Sequence, residues 1–144
     1  MLRIIILTLL LLLLPVVAIG HPAEITSPFG WRVHPITGEY HFHTGLDIGY
    51  EKGTPLGSFC KGTVVFSGVW SGYGNTIIIK DSSRNRHIVY AHCDQLYVLA
   101  NNEVEIGQTV ASVGSTGNST GPHLHLELWE DGEYKNPIIL YEGM

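Results

Sequence analysis

Beyond its first 20 residues the chain lacks any stretch with a sustained 3.6-residue apolar period, which argues against long helices. It also lacks internal repeats and low-complexity linkers, so a chain of this length is expected to form one domain around one core. Lys and Arg are scarce, 8 against 13 Asp and Glu, and this acidic balance argues against nucleic acid as a partner.

The first 20 residues have the pattern of a secretory signal peptide. A short start with Arg3 precedes an apolar run over residues 4–18, and the small residues Ala18 and Gly20 suit a cleavage site after residue 20. The run is short against the roughly 20 residues that span a membrane, although an uncleaved N-terminal anchor is the alternative. Residues 21–144 are therefore predicted to be exported to the periplasm, cell wall or medium. No stable membrane association is expected once the leader is removed.

The sequence has only two cysteines, Cys60 and Cys93. Export would permit a disulfide between them. Cys93 directly follows His92 in a strand-like run, so these two side chains should point to opposite faces. We expect the two cysteines either to pair or to lie together as buried thiols, and neither to bind metal.

Short runs rich in β-branched and aromatic residues, separated by Gly, Asn, Asp and Ser, predict an all-β domain. These runs cover residues 62–69, 75–80, 86–92, 104–110, 111–113 and 123–128, and residues 81–85 form a polar hairpin loop. Residues 27–47 are predicted to be a structured loop, because two prolines and three glycines interrupt any regular element. Trp31, Tyr40 and Phe42 could line a groove there.

Residues 123–128 alternate strictly between polar and apolar side chains, after a Gly-rich loop. This alternation is typical of a half-buried strand, in which residues two apart share a face. The face with the three leucines belongs in a core, and the other face carries His123, His125 and Glu127. Two adjacent imidazoles suit a zinc site, or a metal ligand beside a proton shuttle, although ordinary surface histidines are the alternative. Glu127 is either a partner of a ligand imidazole or simply exposed to solvent.

His43 and Asp47 offer further ligands. Four residues of straight strand span roughly 13 Å, which is too far for two ligands that each lie about 2.0–2.2 Å from one zinc ion. The chain must therefore bend between them, and Gly45 is placed to allow this bend. With His125 as third ligand, the set becomes His-Asp-His with a fourth position for water, which is typical of catalytic zinc.

Bound zinc lowers the pKa of its water to about 7 and polarises a substrate carbonyl. Attack of this water on an amide still needs a base and an acid. His92 and His123 are the candidates, because an unperturbed imidazole titrates near pH 6.5. His123 shares a face with His125 and must lie beside the metal, whereas His92 ends an apolar run and is expected at a strand's edge. His41 could share the face of His43.

Taken together, these residues resemble the lysostaphin/LytM-type zinc endopeptidases, which cut peptidoglycan cross-bridges. The resemblance rests on the order and spacing of His43-x3-Asp47, Tyr90-Ala91-His92 and His123-Leu124-His125. The segments at residues 29–32, 47–49, 53–55, 62–65, 114–121 and 136–137 also fit the family pattern. The match covers residues 27–141, nearly the whole predicted domain of residues 21–144. Cys93 departs from the pattern, since the family usually has Leu there.

The resemblance implies one zinc ion held by His43, Asp47 and His125, with His92 and His123 as the catalytic pair. It also implies an antiparallel β-sheet fold, sandwich- or barrel-like, with the zinc site in a surface groove. Peptide cross-links of bacterial peptidoglycan are the expected substrate. Two alternatives stay open: a catalytically inactive wall-binding or hydrolase-activating domain on the same fold, and a zinc peptidase that acts on soluble peptides.

Overall fold

The computed structural model describes residues 24–33 and 37–142. The predicted leader, residues 1–20, lies outside these residues. In the part that is described, no helix has both the length and the apolar character needed to cross a membrane.

The described residues form short antiparallel strands and a single turn of helix. In chain order the elements are β1 (Glu24–Ser27), β2 (Gly30–Val33), β3 (Tyr40–His43), β4 (Leu46–Gly49), β5 (Pro55–Gly57), β6 (Gly62–Trp70), β7 (Gly74–Asp81), β8 (Arg86–Leu96), β9 (Glu103–Val104), β10 (Thr109–Val113), β11 (His123–Glu130), β12 (Glu133–Lys135) and α1 (Ile139–Glu142). The all-β fold class predicted from the sequence is confirmed.

Strands β2 and β3, with the end of β1 and the start of β4, lie in residues 27–47, which were predicted to be a structured loop, and that prediction was wrong. Each of these strands is only four residues long, so glycines and prolines separate the strands without preventing them. In β4, Leu46 and Ile48 are buried while Asp47 is partly exposed. Strand β4 has only four residues, which is too short for a recognisable sequence pattern. It is held by pairing with β11, which lies far along the chain.

Ten strands form one sheet, in the order β1-β4-β11-β8-β7-β6-β9. Strand β10 pairs with β8 and β5, and β12 extends the sheet from β11. Strands β2 and β3 form a separate two-stranded ribbon. All these pairings are antiparallel, as expected, and the middle of the sheet brings β4, β11 and β8 side by side.

The core lies under one face of this central sheet. Leu124, Leu126 and Leu128 are at most 1% exposed, as predicted from their alternation. They pack in one cluster with Leu46 and Ile48 from the neighbouring strand β4. Burial of one such side chain stabilises the fold by about 1.5–3 kcal/mol. This apolar face holds β11 in place, and its polar residues are therefore directed to the other face.

Cys60 and Cys93 are free thiols in the structure, and both are buried in the core. Burial raises the pKa of Cys60 to about 11 and that of Cys93 to about 12. Of the two arrangements expected from the sequence, the structure has buried thiols and no disulfide between them.

The β7–β8 hairpin is held by the buried carboxylate of Asp81. The backbone N–H and the hydroxyl of Ser83 both donate to Asp81 Oδ1, each at 2.7 Å. Arg86 Nε donates to Oδ2, also at 2.7 Å. Burial alone would raise the pKa of Asp81, but these bonds and the charge of Arg86 outweigh it and lower the pKa below its usual value.

Because the folded-state pKa of Asp81 is lowered, its contribution to stability is complete above the unfolded-state pKa of about 4 and is lost as pH falls further. We expect Asp81→Asn to cost about 2 kcal/mol of unfolding free energy at pH 7. The difference from the wild type should shrink between pH 5 and pH 3. Urea denaturation of both metal-free proteins measures this. Glu105→Gln, which removes an exposed partner of Lys61, is the matched control, and an equal loss in that variant would contradict the prediction.

Candidate metal centre

Three side chains from three strands converge on one point at the polar side of the sheet. His125 Nδ1 lies 2.7 Å from Asp47 Oδ1, and His43 Nε2 lies 3.3 Å from the same oxygen. The two imidazole nitrogens are 3.3 Å apart. One ligand atom from each residue lies within 4.8 Å of the others. His41 is not part of this cluster, and its Nε2 accepts a hydrogen bond from Arg32 Nε at 3.2 Å.

The bend between His43 and Asp47 depends on the absence of a side chain at Gly45. Strand β3 ends at His43 and β4 begins at Leu46, so the two candidate ligands approach one another instead of lying roughly 13 Å apart along a straight strand. A Cβ on Gly45 would lie 2.6 Å from His125 Cε1 and 2.6 Å from the Leu126 carbonyl oxygen. The glycine predicted at this bend is therefore required for space.

Hydrogen bonds on the far side of each imidazole determine which ring nitrogen faces the cluster. His43 Nδ1 lies 2.8 Å from the Pro28 carbonyl oxygen, which can only accept, so the proton is on Nδ1 and Nε2 carries the lone pair. His125 Nε2 lies 3.1 Å from Glu127 Oε1, which leaves Nδ1 for the cluster. The 2.7 Å contact between His125 Nδ1 and Asp47 Oδ1 is a hydrogen bond that Nδ1 donates. Displacement of that proton leaves two nitrogen lone pairs beside a carboxylate oxygen, a donor set that fits zinc.

The charges in the cluster also suit a cation. Burial by itself would raise the pKa of Asp47, but hydrogen bonds with His125 and His43 outweigh it and hold the pKa well below its usual range. Burial would lower the pKa of His125, whereas its hydrogen bonds with Asp47 and Glu127 raise it to about 9. A metal ion competes with a proton for such a ligand, so affinity for metal should fall as the pH is lowered.

His123 and His92 stand beside the three clustered residues. His123 Nε2 is 3.8 Å from Asp47 Oδ1, and its Nδ1 is 2.8 Å from the Gly121 carbonyl oxygen. His92 Nδ1 donates to the Thr116 carbonyl oxygen at 2.7 Å. The His92 ring is centred 4.8 Å from that of His123 and 5.8 Å from that of His125. Both histidines are anchored through Nδ1, which leaves Nε2 as the nitrogen able to exchange a proton.

His92 lies within strand β8 and not at its end, so the expected strand edge was wrong. The strand continues to Leu96, and the ladder with β7 is irregular between Asn75 and Ile77, where it passes His92. His92 has a φ of 58°, a left-handed backbone that costs on the order of 1–3 kcal/mol in a non-glycine residue. Such irregularities re-aim side chains near functional sites, and here the imidazole reaches the cluster while Cys93 enters the core.

Burial lowers the pKa of His92; its bond to Thr116 opposes this, and the neighbouring histidines add to the lowering. The net pKa lies below its usual value, so this imidazole is neutral at neutral pH. A neutral imidazole can accept a proton from a nearby donor.

Two surface hollows reach the cluster. One is lined by Thr26, Ser27, Asp47, Thr120, Gly121, Pro122 and His123. The other is lined by Thr44, Gly72, Tyr73, His92, Asn118 and His125. A substrate in either hollow would lie against one residue of the cluster and one of the two neighbouring histidines. The single continuous groove expected from the sequence stays a prediction.

Most of the chain matches one protein family. The profile described as peptidase family M23 matches residues 41–137, which contain all five residues of the site. The chain belongs to peptidase family M23. The resemblance seen in the sequence is therefore confirmed.

Individual relatives agree with the M23 assignment. The DD-carboxypeptidase/endopeptidase Mpg of Neisseria meningitidis is 40% identical over 115 residues, 80% of this chain and 26% of that protein. The murein hydrolase activator NlpD of Salmonella typhimurium is 40% identical over 95 residues, 65% of this chain and 25% of that protein. The chain thus spans about a quarter of the length of these curated relatives.

Two solved peptidase structures share the fold. The catalytic domain of lysostaphin from Staphylococcus simulans superimposes with a TM-score of 0.73 at 27% identity, covering 82% of this chain and 92% of that domain. A zinc-containing peptidase from Vibrio cholerae gives a TM-score of 0.73 at 34% identity, covering 78% of this chain and 35% of that protein.

Some residues lie elsewhere than the sequence suggested. Trp31, Tyr40 and Phe42 share an exposed face of the β2–β3 ribbon, where the Trp31 and Tyr40 rings stack. By strand alternation this face is opposite to that of His43, so these aromatics do not line the two hollows. Tyr90, the first residue of the Tyr90-Ala91-His92 motif, is fully buried in the core, and its hydroxyl accepts a hydrogen bond from the Phe59 N–H at 2.9 Å.

Two residues that contact the site were not foreseen. Thr44 and Tyr73 line the hollow beside His92 and His125, and both donate hydrogen bonds to Glu127. Thr44 lies inside the motif that joins His43 to Asp47, which was the one available signal for it. Tyr73 is in the turn before β7, and nothing in its local sequence connects it with β11.

The tight contact of Gly45 with His125 makes this glycine a test of the centre. In Gly45→Ala the added methyl group should displace the imidazole, weaken zinc binding roughly tenfold or more and cost about 1–3 kcal/mol of stability through overpacking. Zinc affinity is measured by competition with a chromophoric chelator. Gly68→Ala is the control, because its Cβ would meet only Phe66 at 3.6 Å. Equal zinc affinity in the two variants would refute the expectation.

Proposed function

We propose that this chain is an exported zinc-dependent endopeptidase that hydrolyses peptide cross-links of bacterial peptidoglycan. The observation that supports it most is the convergence of His43, Asp47 and His125 within 4.8 Å, beside two further histidines, in a member of peptidase family M23. On this proposal, residues 21–144 form one peptidase domain, and residues 1–20 direct it out of the cytoplasm.

His43 Nε2, Asp47 Oδ1 and His125 Nδ1 would hold one zinc ion. Three protein ligands that leave a further position open are the pattern of a catalytic zinc site. When bound, zinc supplies an activated water and polarises the substrate carbonyl. Asp47 holds its charge at neutral pH, because its two imidazole partners lower its pKa.

His92 and His123 would handle the protons of the reaction. Each imidazole is fixed by a hydrogen bond from Nδ1 to a backbone carbonyl, of Thr116 and Gly121 respectively. Each therefore presents Nε2 to the space above the cluster. His92 is neutral and can accept a proton there, and a protonated imidazole can then stabilise developing negative charge or donate to the leaving amine.

The peptidoglycan substrate is supported by the kinship with the peptidoglycan DD-endopeptidase ShyC of Vibrio cholerae, which is 38% identical over 107 residues. A leader of the secretory type would bring the chain to the compartment where such a substrate lies. A peptidase that acts on soluble peptides is the alternative within the same chemistry, and the choice of substrate separates the two.

A second candidate function is that of a catalytically inactive domain that binds the wall or activates another hydrolase. The relative NlpD, a murein hydrolase activator by name, favours it. An inactive domain has no need of a complete site, whereas this chain retains His43, Asp47 and His125 together with His92 and His123. The endopeptidase is therefore the function that we propose.

Digestion of purified peptidoglycan by the purified protein tests the proposal. We expect new peptide termini within cross-links, detected by mass spectrometry, and their disappearance when a zinc chelator is added. Intact wall and soluble D-amino-acid peptides should be compared side by side. Zinc-loaded, folded protein that releases no termini from the wall would contradict the endopeptidase and support the activator or the soluble-peptide enzyme.

Two substitutions separate the ligand from the catalyst. Asp47→Ala should lose zinc and activity together, because it removes the oxygen that both ligand histidines approach. His123→Ala should retain zinc while kcat falls by about 10²- to 10⁴-fold, the usual contribution of general acid–base catalysis. Metal analysis of the dialysed variants and steady-state kinetics provide the measurements. A His123→Ala protein without zinc would reverse the assignment.

A further inference from the structure

We propose that Glu127 is a positioning residue that holds all three residues of the metal centre in place, which rests on the proposed function of this site. It orients His125 directly, and it orients His43 and Asp47 through Thr44, the residue that follows His43 in the bend. The sequence pattern left open whether Glu127 is exposed or a partner of an imidazole.

The Glu127 side chain is completely buried, with 0% exposure. Its Oε1 accepts hydrogen bonds from Thr44 Oγ1 at 2.6 Å, Tyr73 Oη at 2.8 Å and His125 Nε2 at 3.1 Å. Its Oε2 accepts a bond from Trp129 Nε1 at 3.0 Å. Four donors, from the β3–β4 bend, the β6–β7 turn and β11, meet on this carboxylate.

A buried carboxylate is stable only when donors surround it, because an unpaired charge inside a protein carries a large desolvation penalty. The four donors of Glu127 come from three segments of the chain, and the carboxylate is bonded to all of them. An ionised carboxylate can only accept hydrogen bonds, so each of the four neighbouring groups must point an N–H or O–H at it. The group therefore determines the orientation of its neighbours.

The consequence for His125 is a fixed ring orientation. Its Nε2–H donates to Glu127 Oε1, so Nδ1 faces Asp47 Oδ1 and is the nitrogen that can bind a metal ion once its proton is displaced. Carboxylate partners of this kind orient ligand histidines and strengthen their binding of metal.

The consequence for the other two ligands follows from the place of Thr44. Its backbone joins His43 to Gly45, where the chain has no side chain to stiffen it. The bond from Thr44 Oγ1 to Glu127 is the shortest of the four, and it ties the bend to β11. The Glu127 carboxylate therefore positions both His125 on β11 and the β3–β4 bend, which lies between His43 and Asp47.

The test compares Glu127→Gln with Glu130→Gln, which makes the same change at a partly exposed position on the same strand. The amide that Glu127→Gln introduces can accept hydrogen bonds only through its oxygen, so we expect zinc affinity to fall about 10- to 100-fold. The Glu130→Gln protein should bind zinc like the wild type. Chelator competition measures affinity, and the visible absorption of Co²⁺ in the site reports ligand geometry. Both readouts are made on folded protein and need no turnover.

Thr44→Val provides a second variant that keeps the shape and removes one donor. As a single substitution it should weaken zinc binding. In the Glu127→Gln background it should have little further effect, because both changes break the same link. Additive effects would overturn the link through Thr44. A wild type that binds no zinc would defeat the proposed function itself. A wild type that binds zinc, with Glu127→Gln matching Glu130→Gln in affinity and Co²⁺ spectrum, would overturn the positioning role alone.

Discussion

The pairing of β4 with β11 is the constraint on which the rest of the site depends. Asp47 and His125 lie directly opposite each other in this ladder, and side chains so placed are within contact distance. The same register puts Leu46 against Leu126 and Ile48 against Leu124 on the other face. A slip by one residue would turn the histidines into the core. The apolar core thus determines the geometry of a polar site that it never touches.

Much of this arrangement could be predicted from the sequence where the pattern is local. The alternation at residues 123–128 predicted both the buried leucines and the face of His123 and His125. The short β-rich runs predicted most of the larger strands. The approach of His43 and Asp47 was expected from their spacing and the glycine between them, and His125 was added as third ligand from its strand face and the family resemblance. The structure brings all three residues together.

The remainder depends on contacts between distant parts of the chain. Strand β4 has too few residues to show a pattern, and it exists because β11 lies beside it. Glu127 has the local sequence of an exposed residue, yet it is covered by Tyr73 and Trp129. The direction of the His92 side chain depends on the irregular β7–β8 ladder and on its left-handed backbone conformation. Neither feature can be recognised in a single sequence. Such local exceptions are commonly found at functional sites.

The contact between the His43 and His125 imidazoles joins residues that are 82 positions apart in the chain. Contacts of this separation form late, because the cost of closing the intervening loop must first be met by the sheet between them. His43 and Asp47 emerge early during synthesis, but the cluster is not complete until β11 has joined β4. On the proposed function, metal uptake would therefore belong to the last stage of folding, and the compartment in which folding finishes would be the one that provides the ion.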